Sequence, residues 1–261
     1  MPKTPSRNRI LSVDIGGSYV KATILDKDGK LINDYDKKAT PENPSPERLL
    51  QIIQELATEL NQFDCISVGF PGYVKNGVIK TAPNLGTEQW KDIDFRKMIE
   101  DTLNKPTQLL NDADMQGLGV VEGKGLEMVV TLGTGFGSAI LLNGSLLPHL
   151  EMAHHPITKT KDYDQFIGDA ALEKKGKVIW NKRMEHVLEV LKTVFNYDTL
   201  YIGGGNAKLL SMKLDKNIKI INNKDGIKGG SRLWFPLNKK NKDIILVYQS
   251  KIAFDESTKQ Y

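Results

Sequence analysis

The chain has 261 residues, 39% of them hydrophobic and 26% charged, a soluble globular mixture long enough for one large domain or two lobes and unlike a disordered or fibrous chain. Its net charge of +4, from 36 basic and 32 acidic side chains, is only mildly basic, and the first 230 residues lack the clustered basic block that nucleic-acid binding needs. The single cysteine, Cys65, excludes an internal disulfide framework, and no apolar run is long enough to span a bilayer or to serve as a leader after the polar N-terminus, so a cytoplasmic location is expected.

Ile10–Ile15 reads as a buried strand that runs into the turn Gly16-Gly17-Ser18. Val20–Leu25 reads as a second strand, Asp26–Gly29 is turn chemistry, and Lys30–Ile32 is expected to begin a third strand of an antiparallel meander. Ser45 is placed to cap a helix with Pro46 at its first position and Leu49, Ile52, Ile53, Leu56 and Leu60 on one face. Cys65–Gly69 is a buried strand ending in the loop Phe70-Pro71-Gly72. Asp94 can cap a short helix, Thr107–Leu110 is a strand that stops at Asn111-Asp112, and a helix with Met115, Leu118 and Val121 follows.

The pattern then repeats. Met128–Leu132 is a strand, Gly133–Gly137 a glycine turn, Ser138–Leu142 a strand, and Asn143-Gly144 a hairpin turn. Tyr163–Lys174 and Val178–Phe195 are expected helices, and Leu200–Ile202 is a strand stopping at Gly203-Gly204-Gly205. Ile218–Ile221 is a further strand, and Asn222–Gly230 leads into a short helix. Beyond Phe235 the chain is polar, with Lys239, Lys240 and Lys242 read as solvated and one late apolar run, Ile244–Val247. Strands alternating with helices in two similar halves predict a mixed α/β fold in two lobes.

Several stretches carry chemistry. After the first strand, Gly16, Gly17 and Ser18 offer backbone N–H groups to a phosphate, Lys21 adds a positive charge, and Asp14 can hold Mg²⁺ through water; the plain alternative is a hairpin turn. Thr131, Gly133, Thr134, Gly135 and Gly137 form a second such turn, and two in matching halves suggest a two-sided phosphate clamp. Gly203, Gly204 and Gly205 permit flat approach of a base or ribose, or simply a flexible turn. In Asn111-Asp112-Ala113-Asp114 a carboxylate at a strand end can take a proton from a substrate hydroxyl. Asp112 is assigned that task and Asp114 a cap or structural role. Glu151 and His154 are spaced to bind vicinal sugar hydroxyls; no cysteine cluster supports a zinc reading, and His149 and His186 are read as incidental. Lys174, Lys175, Lys177, Lys182 and Arg183 are a track for a long anion or a solvated helix face.

In this order VDIGGSYVKATI, VGFPGYV, TAPNL, LLNDAD, VTLGTGFGSAILLNG, EMAHH, YIGGGNAK and KDGIKGG resemble the sugar kinases of the ROK family, within the actin-like ATPase superfamily, and most of all its polyphosphate glucokinase branch. The resemblance implies a two-lobed actin-like (ribonuclease H-like) fold with the active site in the interlobe cleft; the lobes are placed at 1–110 and 111–234, with 235–261 as an extension. It implies Asp112 as catalytic base, with Asn84, Asn111, Glu151 and His154 at the sugar. Asp14, Gly16, Gly17, Ser18, Lys21 and the Thr131–Gly137 loop would face phosphates, and Gly203–Gly205 would lie by the adenosine if ATP is the donor. Mg²⁺, glucose, polyphosphate or ATP, and a homodimer are the expected partners. The family's ELGH reads here Glu151-Met152-Ala153-His154, and its CxCGxxGC zinc site is missing from the sequence. The altered segment keeps open a kinase of mannose, fructose or an N-acetylated amino sugar; a sugar sensor without catalysis is the remaining alternative.

Overall fold

The structure, a computed structural model, describes residues 9–222 and 226–237. Lys224 and Asp225 of the KDGIKGG stretch, the tail lysines, the Ile244–Val247 run and most of the expected 235–261 extension lie outside the described residues. The described chain divides into two compact units, residues 9–112 with 230–237, and residues 113–229.

The first unit contains β1 (Arg9–Ile15), β2 (Tyr19–Asp26), β3 (Asp36–Ala39), α1 (Pro46–Leu60), β4 (Cys65–Phe70), β5 (Val74–Lys75), β6 (Val78–Ile79), α2 (Thr87–Trp90), α3 (Phe95–Leu103) and β7 (Thr107–Asn111). Its main sheet has the order β3-β2-β1-β4-β7, with β1–β2 and β2–β3 antiparallel and β1–β4 and β4–β7 parallel. Every residue of β4 is buried, as suits a central parallel strand covered on both faces. Ser45 Oγ accepts the Arg48 N–H at the start of α1, and the apolar face Leu49, Ile52, Ile53, Leu56 and Leu60 is buried. Trp90 lies 5.0 Å from both Phe70 and Phe95, edge-on to Phe95.

The third strand is not where Lys30–Ile32 predicts it. Leu31 makes only a single bridge to Leu25, and β3 forms later, pairing Asp36–Ala39 with Tyr19–Ala22. As an edge strand of exposed Asp36, Lys37 and Ala39, it has no hydrophobic alternation to betray it. The expected first lobe also ends differently. Asn111 and Asp112 stay with the first unit, and residues 230–237 return to it: Ser67 Oγ donates to the Gly230 carbonyl (2.6 Å) and Trp234 Nε1 donates to Ser67 Oγ (2.9 Å).

The second unit is built from α4 (Asp112–Val120), whose first residue belongs to the first unit, β8 (Leu126–Leu132), β9 (Phe136–Leu142), β10 (Ser145–Leu146), α5 (Tyr163–Ile167), α6 (Asp169–Phe195), β11 (Thr199–Gly203) and β12 (Ile218–Ile220), with short 3-10 turns at Met152–His154 and Ala207–Leu209; α7 (Gly229–Arg232) starts at its last residue and belongs otherwise to the first unit. Its sheet order is β10-β9-β8-β11-β12, with the first two pairings antiparallel and the last two parallel. This repeats the first unit strand for strand, as the duplicated pattern of glycine turns predicts. The expected single helix from Tyr163 to Lys174 is split: Gly168 is extended (φ −66°, ψ 174°) between α5 and α6. α6 itself breaks at Gly176 (φ 76°, ψ 161°), a backbone that a side chain would strain.

Candidate active site

In the first unit the chemistry gathers at the carboxyl ends of the parallel strands, where open α/β sheets bind ligands. Asp14 pairs in register with Lys21 across β1–β2 and with Gly69 on β4, and Phe70 pairs with Asn111. The Lys21 ammonium is 3.8 Å from Asp14 Oδ2. Burial raises the Asp14 pKa and Lys21 pulls it back. Thr40 braces the glycine turn, its Oγ1 donating to the Gly16 carbonyl (2.7 Å) and its N–H to the Ser18 carbonyl (3.0 Å). Gly17 and Ser18 are left exposed.

Asn111 is buried, and its Nδ2 donates to the Gly72 carbonyl (3.1 Å), tying the Phe70-Pro71-Gly72 loop to the end of β7. Asp112 follows at once as the first residue of α4 and is partly exposed. Asn84 is exposed in a turn after Ala82.

In the second unit the two remaining glycine loops lie side by side. Gly203 is opposite Thr131 on the parallel strands β11 and β8. The Asn206 N–H donates to the Leu132 carbonyl (3.0 Å), Asn206 Nδ2 donates to Asp169 Oδ1 (2.6 Å), and the Asp169 N–H donates to the Gly133 carbonyl (3.0 Å). Gly204, at φ +87°, lies against the Leu132 backbone so closely that a Cβ would overlap it. Thr134 and Gly205 are exposed above this joint.

Two residues that sequence reasoning did not assign enter here. Asp164, on α5, accepts the Phe136 N–H at 2.6 Å and lies against the backbone of Gly135. Burial raises its pKa, and the Phe136 N–H opposes that. His149, read from sequence as incidental, is buried between two carboxylates: Nδ1 is 2.9 Å from Asp114 Oδ2 and Nε2 is 3.3 Å from Glu151 Oε1. Burial acts to lower its pKa, but the hydrogen bonds to Asp114 and Glu151 prevail and push it up to about 10. Burial raises the pKa of Asp114, against the pull of His149. No local sequence signal announces either contact, because the partners are 35 and 28 residues apart.

Glu151 and His154 begin and end a 3-10 turn beside β9, where Ser138 Oγ donates to the Leu150 carbonyl (3.2 Å). Glu151 is partly exposed and His154 exposed. Ala153, where the family pattern has glycine, is not among the residues with positive φ, so it fits without backbone strain. On α6, Lys174, Lys175, Lys177 and Lys182 are exposed, whereas Arg183 donates to the Phe166 carbonyl (2.8 Å) and stacks over the Phe166 ring. Among the described residues no group of three or more His, Cys, Asp or Glu is arranged to hold a metal ion, and no helix is long and apolar enough to cross a membrane.

The chain is similar to known proteins over most of its length. It is 33% identical to the polyphosphate glucokinase of Mycobacterium leprae over 233 residues, which span 85% of this chain and 69% of that protein. It is 31% identical to the polyphosphate glucokinase of Mycobacterium tuberculosis (strain CDC 1551), over 85% of this chain and 86% of the other. Among solved structures, the inorganic polyphosphate/ATP-glucomannokinase of Arthrobacter sp. strain KM superposes with a TM-score of 0.75 at 28% identity, covering 86% of this chain and 97% of that one. A ROK family glucokinase of Streptomyces griseus in complex with glucose and AMPPNP shares the fold, with a TM-score of 0.70 at 18% identity over 86% of this chain and 98% of that one. The ROK family profile matches residues 10–157, more than half of the chain, and together with these likenesses places the protein in the ROK family, with its actin-like fold.

Proposed function

We propose that the protein is a cytoplasmic hexose kinase that transfers a phosphoryl group from polyphosphate or ATP to the 6-hydroxyl of glucose. The observation that carries the reading is the placement of Asp112. It follows the buried, hydrogen-bonded Asn111 at the carboxyl end of β7 and opens α4, a fixed and partly exposed position for a base, in a chain about one-third identical to polyphosphate glucokinases.

In the reaction Asp112 accepts the proton of the sugar 6-hydroxyl. The freed oxygen bonds to the terminal phosphorus, and the bond from that phosphorus to the remaining donor phosphate breaks, leaving glucose 6-phosphate and a donor one phosphate shorter. Phosphoryl transfer has a loose transition state, so positioning and charge stabilisation do most of the work. The exposed N–H groups around Gly17-Ser18 and Thr134 serve the phosphates, and Asn111, Glu151 and His154 serve sugar hydroxyls, with Asn84 a further candidate. Gly203–Gly205, which carry no side chains, would permit the flat approach of a nucleoside. Asp14 fits Mg²⁺ as a single carboxylate at a strand end, because that ion keeps its waters and binds through one or two carboxylates plus substrate phosphates. When bound it supplies positive charge to the transferred group.

The test is Asp112→Asn. Glucose binding should persist while kcat falls by roughly 10²–10⁴, and wild-type turnover in the variant would sink the assignment. Initial rates with ATP and with polyphosphates of several lengths, with and without Mg²⁺, identify the donor. Mannose belongs beside glucose in the sugar panel, since the Arthrobacter relative is a glucomannokinase and the Met152-Ala153 pair alters the segment bearing Glu151 and His154. The family resemblance makes a homodimer the expected assembly, which light scattering would check.

A further inference from the structure

His149 is a buried imidazole to which the kinase reading gives no task. Its side chain is 7% exposed, and each ring nitrogen faces a carboxylate: Nδ1 is 2.9 Å from Asp114 Oδ2, and Nε2 is 3.3 Å from Glu151 Oε1. Carboxylates only accept hydrogen bonds, so both ring nitrogens carry protons and the ring is an imidazolium between two anions. Those anions come from different parts of the unit. Asp114 is the third residue of α4, two positions after Asp112, and Glu151 opens the 3-10 turn that ends at His154. Beyond these three groups, Asp164 of α5 is within electrostatic reach of Glu151.

We propose that His149 is a positioning residue for the acceptor sugar. It holds one oxygen of the Glu151 carboxylate, so that the other is presented in a fixed direction to a sugar hydroxyl, and it ties that carboxylate to the helix that begins at Asp112. A partly exposed carboxylate on an irregular segment otherwise samples several rotamers. A charged donor at Oε1 selects one of them, and the positive ring offsets the repulsion between Asp114 and Glu151. The inference rests on the reading of Glu151 as a sugar ligand.

The experiment compares His149→Leu, His149→Gln, Asp114→Asn and Glu151→Gln by initial rates on glucose, with circular dichroism and melting temperature as folding controls. His149→Leu should raise the sugar KM about tenfold with little change in donor KM. His149→Gln, which keeps a donor toward Glu151, should recover most of that loss. Asp114→Asn removes one of the two carboxylates that keep the ring charged. Its sugar KM should therefore climb between about pH 7 and pH 9, where the wild-type value stays flat. Unchanged sugar KM in Glu151→Gln would overturn the sugar-ligand reading itself. A raised sugar KM in Glu151→Gln with an unchanged one in His149→Leu would overturn the positioning role alone. If His149→Leu fails to fold, the pH profile of Asp114→Asn decides: a flat profile overturns the proposal.

Discussion

Replacing Gly204 by alanine isolates the joint between the two glycine loops of the second unit. Gly204 sits at φ +87°, where an L-residue costs about 1–2 kcal/mol. Its new Cβ would overlap the carbonyl, nitrogen and carbonyl carbon of Leu132, all backbone of β8, so no flexible side chain can swing away. Leu132 must therefore move, and its carbonyl loses the 3.0 Å hydrogen bond from the Asn206 N–H, worth about 1 kcal/mol. Together these make about 3 kcal/mol, which lowers the melting temperature of this unit by about 6–12 °C at the usual 2–4 °C per kcal/mol for a chain of this size. Gly205→Ala is the matched control. Nothing lies within 4 Å of a Cβ there and its φ is not positive, so its melting temperature should hold or rise slightly. Scanning calorimetry reads the stability, and separate KM values for donor and sugar read the function: Gly204→Ala should weaken the donor and spare the sugar. If the two variants melt within about 2 °C of each other, the close-approach argument is wrong.

Glu127→Gln should be costly although it touches no assigned site residue. The buried carboxylate accepts the N–H groups of Glu122, Gly123 and Lys124 and the Tyr201 hydroxyl, all at 2.8–3.0 Å, and a carboxamide oxygen can keep at most two of these four. A loss of about 3 kcal/mol, read by urea unfolding, is expected, and a loss under about 1 kcal/mol would mean water replaces the missing acceptor. His149 also makes stability pH-dependent: its folded pKa of about 10 lies above the ordinary 6.5, so its contribution is complete below about pH 6.5 and fades as pH rises through about 10. The melting-temperature gap between wild type and His149→Gln should therefore close on the alkaline side, and a gap that stays constant to pH 10.5 would contradict the imidazolium. Replacing Lys174, Lys175, Lys177 and Lys182 together with glutamine should raise the KM for long polyphosphate and leave that for ATP alone, with the difference vanishing at high salt.

What the sequence made legible was local. A strand, a glycine turn and a returning strand need only neighbouring residues, so β1–β2 and β8–β9 were read directly, and their recurrence announced two units with one strand order. Caps worked for the same reason: Ser45 and Asp94 each accept an N–H three residues on. The failures share a cause as well. β3 has no apolar face because it is an edge, so periodicity had nothing to detect. The Asn76-Gly77 turn between β5 and β6 joins strands of two residues each, too short to alternate. Gly168 ends α5 in an extended conformation that the surrounding apolar spacing conceals.

The site divides along the same line. Glycine turns and a carboxylate after a strand carry their meaning in adjacent residues, whereas a buried ionic contact exists only once the chain has folded. Asp114, for which the sequence suggests a cap or a structural role, lies third in α4 and faces His149, and Asp164 reaches the loop before β9 from the start of α5. A carboxylate shielded from water needs a hydrogen-bonding or charged partner to offset its lost hydration, so the buried Asp114 and the half-buried Asp164 each call for a donor. For Asp114 that donor is His149, which the sequence alone marks as incidental. The residues that set the direction of Glu151 are therefore found by asking which buried charges balance, and this is why the most informative substitutions are at positions 114 and 149 rather than in the glycine loops.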